Sequence, residues 1–283
     1  MSVQFSPVMA TRARGNGSTF SVKSIDLHEL GKQASPVVVL DEFRVRGQPF
    51  PPHPHAGFSA VTYVFEDSEA NLRSRSSLGN DVVVGPGGLV WTMAGSGVIH
   101  EEIPAETECE LHGLQTFVNL SSKNKLVAPR MLWLNGSDVP EWRSESGDRV
   151  RVVTGRFKGV SSPLIPAEPF TLLDVGLRSW ISFGLQKSHN ALVYVLEGSI
   201  IVRASGCERK LLSEQALALY GGSGFIRFEA HQPTHFLILS GAAIHEPILV
   251  HGSFIMNEPS QIEAAIARYR AGEMGQLAPL SKA

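Results

Sequence analysis

Apolar residues come in short runs along this chain, separated by turn formers in which Gly and Pro recur. Runs at 36–43, 60–66, 81–84, 111–120, 150–154, 192–196, 199–203, 225–229 and 235–239 are rich in Val, Ile, Leu and Phe and predict strands. Turn signals lie between them, among them Gly79-Asn80-Asp81, Gly85-Pro86-Gly87-Gly88 and Gly221-Gly222-Ser223-Gly224. Many short strands at close spacing predict a barrel or sandwich rather than alternating strand and helix units. One late segment departs from the pattern. Ser260-Gln261-Ile262-Glu263 has the form of a capping box, Ile262, Ile266 and Tyr269 follow at helical spacing, and Gly272 is placed to end the run. A helix over 258–271 packed on the outside is expected, then a poorly ordered tail.

The pattern also repeats. Val61-Thr62-Tyr63-Val64-Phe65-Glu66-Asp67-Ser68 resembles Leu192-Val193-Tyr194-Val195-Leu196-Glu197-Gly198-Ser199, and the turn at 85–88 has a loose partner at 221–224. Two β domains on one duplicated plan are the economical reading, divided as 1–140 and 141–283, with the helix and tail closing the second.

Two stretches of the first half carry candidate chemistry. Pro49-Phe50-Pro51-Pro52-His53-Pro54-His55 and Val98-Ile99-His100-Glu101-Glu102 each hold two metal-ligand types one residue apart. Residues i and i+2 of a strand share a face, so His53 with His55, and His100 with Glu102, would each aim as a pair. Brought together inside a barrel they make three imidazoles and one carboxylate around a point. The prolines set the first pair in extended backbone at an edge, a strand start or a bulge. Glu101 faces away from Glu102 on this reading, and its replacement is expected to do little. Carrying the repeat offset back puts Gly184 and Gln186 where the first half has His53 and His55, so the second copy keeps the fold and lacks the site.

Composition narrows the field without naming a function. A chain of 283 residues with 43% hydrophobic and 18% charged residues is globular, and a net charge of -2 gives no reason to expect general binding to nucleic acid or an anionic membrane. Arg12, Arg14 and Lys23 are the candidates for a local basic patch. Two cysteines, Cys109 and Cys207, are too few for a disulfide framework or a thiolate zinc site. Neither a signal peptide nor a membrane span is apparent, so a cytoplasmic protein is expected, with a nuclear share in a eukaryote. A monomer is expected.

Longer motifs then carry a resemblance. Gly47 ahead of His53-x-His55 looks like the first cupin motif. His53-Pro54-His55-Ala56-Gly57-Phe58, Ser77-Leu78-Gly79-Asn80, the run from Trp91 to Glu102, Leu111-His112-Gly113-Leu114-Gln115, and His251-Gly252-Ser253-Phe254-Ile255-Met256-Asn257 resemble the pirin family, over roughly residues 20 to 271. The resemblance implies an all-β bicupin of two jelly-roll-like barrels with a short C-terminal helix. It implies one metal, normally iron, in the N-terminal barrel, on His53, His55, His100 and Glu102. Ligand type alone fits Fe(II), Mn, Co, Ni, Cu or Zn. Two positions and one segment depart from the family pattern. Ala56 stands where many pirins carry Arg, Ser59 replaces the acidic residue of the general cupin motif, and Arg73-Ser74-Arg75-Ser76 replaces a segment expected at the pocket rim. Gln115 and His112 are candidates to orient the histidines, and Phe50, Phe58, Met93 and Phe117 to line an apolar pocket.

Two functions follow from the resemblance. One is a quercetin 2,3-dioxygenase-like oxygenase, in which a flavonol or similar enol and O2 meet at the metal and Glu102 takes the substrate's proton. The other is a metal-dependent regulator that binds a transcription factor or a metabolic enzyme. A deep apolar pocket at the metal favours the first, and an exposed patch beside its mouth the second.

Overall fold

The computed structural model describes residues 2–15, 19–48, 50–278 and 280. Pro49, at the head of the proline-rich stretch, lies outside them, as do 279 and 281–283 of the tail. Strands dominate, and the one α-helix among the described residues is Pro259–Arg270. No helix among the described residues is long and apolar enough to cross a membrane.

The chain divides into two compact units that interleave in sequence. One comprises Met1–Arg12, Lys23–Val39 and Val139–Ile244, the other Ala13–Val22, Leu40–Asp138 and His245–Ala283. This corrects the simple division at 140. The amino-terminal strands Gln4–Phe5 and Met9–Ala10 pair with Gln215–Tyr220 of the later barrel. The helix packs Ile262 and Ala265 against Phe254 and Met256 in the unit that holds the histidines.

Each unit is a large sheet facing a four-stranded one. In the histidine-bearing unit the large sheet runs Arg130–Leu134, Leu89–Met93, Phe58–Val64, Leu111–Asn119, Val37–Val45, Phe20–Ser24, Arg12–Gly15. The small sheet runs His53–His55, Val98–Pro104, Leu72–Ser76, Asp81–Val84. The other unit repeats both orders. Its large sheet runs Gln4–Phe5, Gln215–Tyr220, His189–Glu197, Thr234–Ala242, Phe170–Leu177, Arg149–Thr154, Glu141–Arg143. Its small sheet runs Trp180–Leu185, Gly224–Glu229, Ser199–Ala204, Cys207–Leu212.

Tyr63 and Tyr194 occupy the same strand of the plan, and both are fully buried. The glycine turns match differently from the sequence expectation. Gly221-Gly222-Ser223-Gly224 joins the strands equivalent to those joined by Ala94-Gly95-Ser96-Gly97, and Gly224 and Gly97 share a positive φ of 146° and 140°. Its counterpart is therefore 94–97, not 85–88.

The helix is capped two residues earlier than its sequence signature. Glu258 is the N-cap, its side chain takes the Gln261 backbone N–H, and the Gln261 side chain reaches back to the cap. Pro259 fills the first helical position, where its missing N–H costs nothing. Gly272, with φ 75°, ends the helix as expected. The tail beyond it is packed rather than loose as far as 278. Met274 is buried against the helix cluster, and the Ala278 carbonyl accepts from Arg75. Of the amino-terminal cations, Arg12 pairs with Asp26 and Glu29, and Lys23 with Glu214.

Candidate metal centre

The small sheet of the first barrel brings the two sequence pairs together. His53–His55 runs antiparallel to Val98–Pro104, with His53 opposite His100 and His55 opposite Val98. On its other side Val98–Pro104 pairs with Leu72–Ser76, placing Glu102 opposite Ser74 and Glu101 opposite Arg75. Alternation therefore sends His53, His55, His100, Glu102 and Ser74 to one face. The possible ligand atoms of the three histidines lie within 4.8 Å of one another. Their ring centroids are 4.6–4.8 Å apart.

His100 is the most informative of the three. It is 2% exposed, and among the described residues neither of its ring nitrogens has a hydrogen-bond partner. Leaving a buried polar group unpaired costs about 1–3 kcal/mol, so an imidazole with two orphaned nitrogens needs an account. A cation at the centre of the cluster supplies one. The other two rings are already oriented for it: His53 Nδ1 lies 2.9 Å from the Pro51 carbonyl and His55 Nδ1 3.4 Å from that of Ser253. A carbonyl can only accept, so each Nδ1 carries the proton and each Nε2 keeps a free lone pair. Burial, reinforced by the charge of its histidine neighbours, pulls His100 well below the usual range and His55 down to about 3. Neutral imidazole is the ligating form. The donor set fits a transition-metal ion.

Glu102 approaches from the same strand, with Oε1 4.0 Å from His100 Nδ1. Burial pushes its carboxyl up to about 7, opposed by hydrogen bonds from Thr62 and Ser74. Thr62 Oγ1 lies 2.5 Å from Glu102 Oε2 and 2.9 Å from Gln115 Oε1, and Ser74 Oγ 3.3 Å from Glu102 Oε1. Thr62 has one proton to share between two oxygens. With Glu102 ionised, Thr62 donates to it and Gln115 must turn its amide to face Thr62 with N–H. With Glu102 protonated, the chain runs the other way, from Glu102 through Thr62 to Gln115.

Several sequence expectations change here. Gln115 and His112 do not orient the histidines; the backbone carbonyls of Pro51 and Ser253 do. Gln115 serves Glu102 through Thr62, while His112 turns to the opposite face, 2.8 Å from Asp67 and 3.4 Å from Glu42. Arg73-Ser74-Arg75-Ser76 is not a rim: Arg73 pairs with Asp81, Arg75 with Glu101, and Ser74 lies behind Glu102. Glu101 is not a dispensable solvated acid. It is fully buried, bonded 2.8 Å to Arg75 and 2.6 Å to Gln48, which ties the strand to the loop leading to His53. Thr62 was missed, although it lies on the strand next to the histidine motif, an even number of residues after Phe58. Ser59, at an odd spacing, faces away from it.

A cavity of about 220 Å³ opens onto the four residues. Phe20, Phe43, Phe50, Phe117, Leu72 and Leu111 are among its walls, with Asp41 and Gln115 adding polar atoms. Phe50 and Phe117 take their expected places. Phe58 instead backs His55 at 4.9 Å, and Met93 is buried in the core.

Duplicated small and large sheets, with a histidine cluster in one barrel, define the class: a bicupin whose first domain has residues that could hold a metal ion. Comparison with known proteins narrows this. Residues 8–118 match the Pirin family model and 173–275 that of the Pirin C-terminal cupin domain. The chain is 34% identical over 250 residues to a Pseudomonas aeruginosa protein provisionally assigned as a quercetin 2,3-dioxygenase, covering 84% of this chain and 86% of that one. It is 31% identical over 259 residues to Homo sapiens pirin, covering 89% and 87%. Among solved structures, a quercetin 2,3-dioxygenase from Acinetobacter baumannii superposes with a TM-score of 0.84 at 25% identity, over 98% of this chain and 99% of that one. A bacterial pirin from Escherichia coli in complex with nickel(II) shares the fold, with a TM-score of 0.65 at 18% identity over 85% and 100%. The chain belongs to the pirin family.

Proposed function

We propose that this pirin is an Fe(II)-dependent oxygenase that opens an aromatic enol of the flavonol type with dioxygen, the metal held by His53, His55, His100 and Glu102. The observation that carries the reading is the orphaned, buried His100 on the floor of an aromatic-walled cavity. A purely structural ion would not require an open apolar space beside it. Bound there, iron would act as a Lewis acid on a substrate hydroxyl and provide the place where dioxygen meets the ring.

The chain's own part is to bind, orient and move a proton. The phenylalanine walls exclude water and hold a flat aromatic ring. Glu102, fixed by Thr62 and Ser74, presents a carboxylate oxygen to the hydroxyl of the bound enol and takes its proton. The Thr62–Gln115 chain adjusts its direction to either protonation state of that carboxyl. Asp41 and Gln115 give the far side of the substrate polar contacts.

The test is anaerobic reconstitution with Fe(II), then oxygen uptake on adding quercetin, with His53→Ala as control. Uptake with carbon monoxide release, lost in the control, is expected. Tight metal binding without uptake would overturn the oxygenase reading in favour of a metal-dependent binding protein.

A further inference from the structure

Behind the cluster lies a cation that the proposed chemistry does not use. Lys125 is fully buried, and its ammonium donates to the carbonyls of Gly57 at 2.8 Å and Ile255 at 3.0 Å and to the Asn119 side-chain oxygen. All three of its protons are used, and all three acceptors are neutral. Burying a charge without a bonded counter-ion is expensive, and an apolar side chain would fill the same space at lower cost. The location of the two carbonyls gives it a purpose.

Gly57 follows His55 by two residues, and Ile255 follows Ser253 by two. Ser253 is the residue whose carbonyl takes the His55 Nδ1 proton. The segments 55–57 and 253–255 therefore lie side by side, joined by Ile255 N–H to the Ala56 carbonyl at 3.0 Å and a parallel bridge between Ala56 and Phe254. They touch closely: a Cβ on Gly57, which has φ 85°, would sit 2.0 Å from the Ile255 carbonyl oxygen. Two carbonyl oxygens face the same buried spot there, and the Lys125 ammonium is the donor between them. Of the bonds joining the two segments, His55 to Ser253 is the longest, at 3.4 Å. It is the first to be lost if the segments part.

We propose that Lys125 is a positioning residue for the metal centre: by clamping Gly57 to Ile255 it keeps Ser253 in reach of His55, and so holds the His55 ring in its ligating orientation. The inference rests on the metal centre proposed above, but not on its oxygenase chemistry.

The test uses the full chain with Ni(II) as probe. Affinity is measured by competition with a chromophoric chelator, the Co(II) absorption spectrum is recorded, and thermal unfolding of the metal-free protein is followed in parallel. For Lys125→Met we expect a roughly 10- to 100-fold loss of Ni(II) affinity, the range for second-layer partners of ligands, and an altered Co(II) spectrum. Asn119→Ala removes the one acceptor that belongs to neither the 55–57 nor the 253–255 segment and leaves both carbonyls clamped; it is expected to lower the melting temperature with affinity unchanged within about threefold. Should Lys125→Met not fold, Lys125→Gln, which keeps two donors and no charge, is compared with Asn119→Ala in the same way. Affinity lost in both variants in proportion to stability, or unchanged in the lysine variant, would overturn the proposal. Failure of the wild-type chain to bind Ni(II) at His53-dependent sites would instead sink the metal centre, and this inference with it.

Discussion

The two barrels place different residues at the same four positions. In the first, His53 lies opposite His100, with His55 and Glu102 two residues further along their strands. In the second, Phe183 lies opposite Ile226, with Leu185 and Phe228 two residues further along theirs. All four of the latter are buried in one apolar cluster. One plan thus yields either a filled core or an open polar site, depending on four side chains. The second barrel gains packing from them, and the first forgoes it and leaves His100 unpaired. A site of this kind is a local loss of stability that a bound ion makes good.

Putting the second barrel's residues into the first is the strongest test. His53→Phe, His55→Leu and His100→Ile together should abolish Ni(II) binding. The metal-free triple variant should be more stable than the wild type by about 1–3 kcal/mol in denaturant unfolding, because a buried unpaired imidazole is gone. A less stable variant would mean that His100 has a hydrogen-bonded role in the metal-free barrel. The reverse exchange, Ile226→His, should cost about 3–4 kcal/mol and bind no metal, since no second ligand faces it. Tolerance of that change would break the view that the second core is fully committed to packing.

Adjacent acids sharpen the comparison next. Glu101→Gln removes the partner of Arg75, whose side chain is 14% exposed, and should destabilise the metal-free protein by about 3 kcal/mol with modest effect on metal affinity. Glu102→Gln should do the opposite, lowering metal affinity at least about tenfold and leaving metal-free stability within about 1 kcal/mol. The smallest effect concerns Lys125. Burial pulls its pKa down from 10.5 to about 8, against the raising influence of Glu246. The unfolded chain then holds the extra proton between those values, so this group's contribution to stability rises with pH. Wild type should gain up to about 2 kcal/mol over Lys125→Met between pH 8 and 9.5. A flat difference would show that the three acceptors hold the ammonium well above pH 9.5.

Much of this was legible in the sequence, and the misreadings have physical causes. The four candidate ligands were readable because period-two alternation in extended backbone is a strong local rule, and prolines around His53 and His55 leave the chain little else to do. The emptiness of the second barrel was readable too, but at Gly184 and Gln186. The equivalent residues are Phe183 and Leu185, because one residue more separates Leu185 from Tyr194 than His55 from Tyr63. An offset taken from one strand does not survive a longer turn. The burial of Glu101 could not be read, since its partners Arg75 and Gln48 come from two other segments. Nor could the role of Ser253, which lies 198 residues from His55 in sequence. Long-range pairing carries no local signature.

That separation also orders events during synthesis. The segment 245–283 belongs to the histidine-bearing unit, but the ribosome makes it after the whole span 139–244 of the other. When His53, His55 and His100 have left the exit tunnel, Ser253 and Ile255 do not yet exist, and Lys125 has no second carbonyl to grip. The nascent first barrel therefore waits, half-built, while the later barrel is translated. The carbonyl that orients the His55 ring is thus delivered by a stretch made only after the other barrel's span.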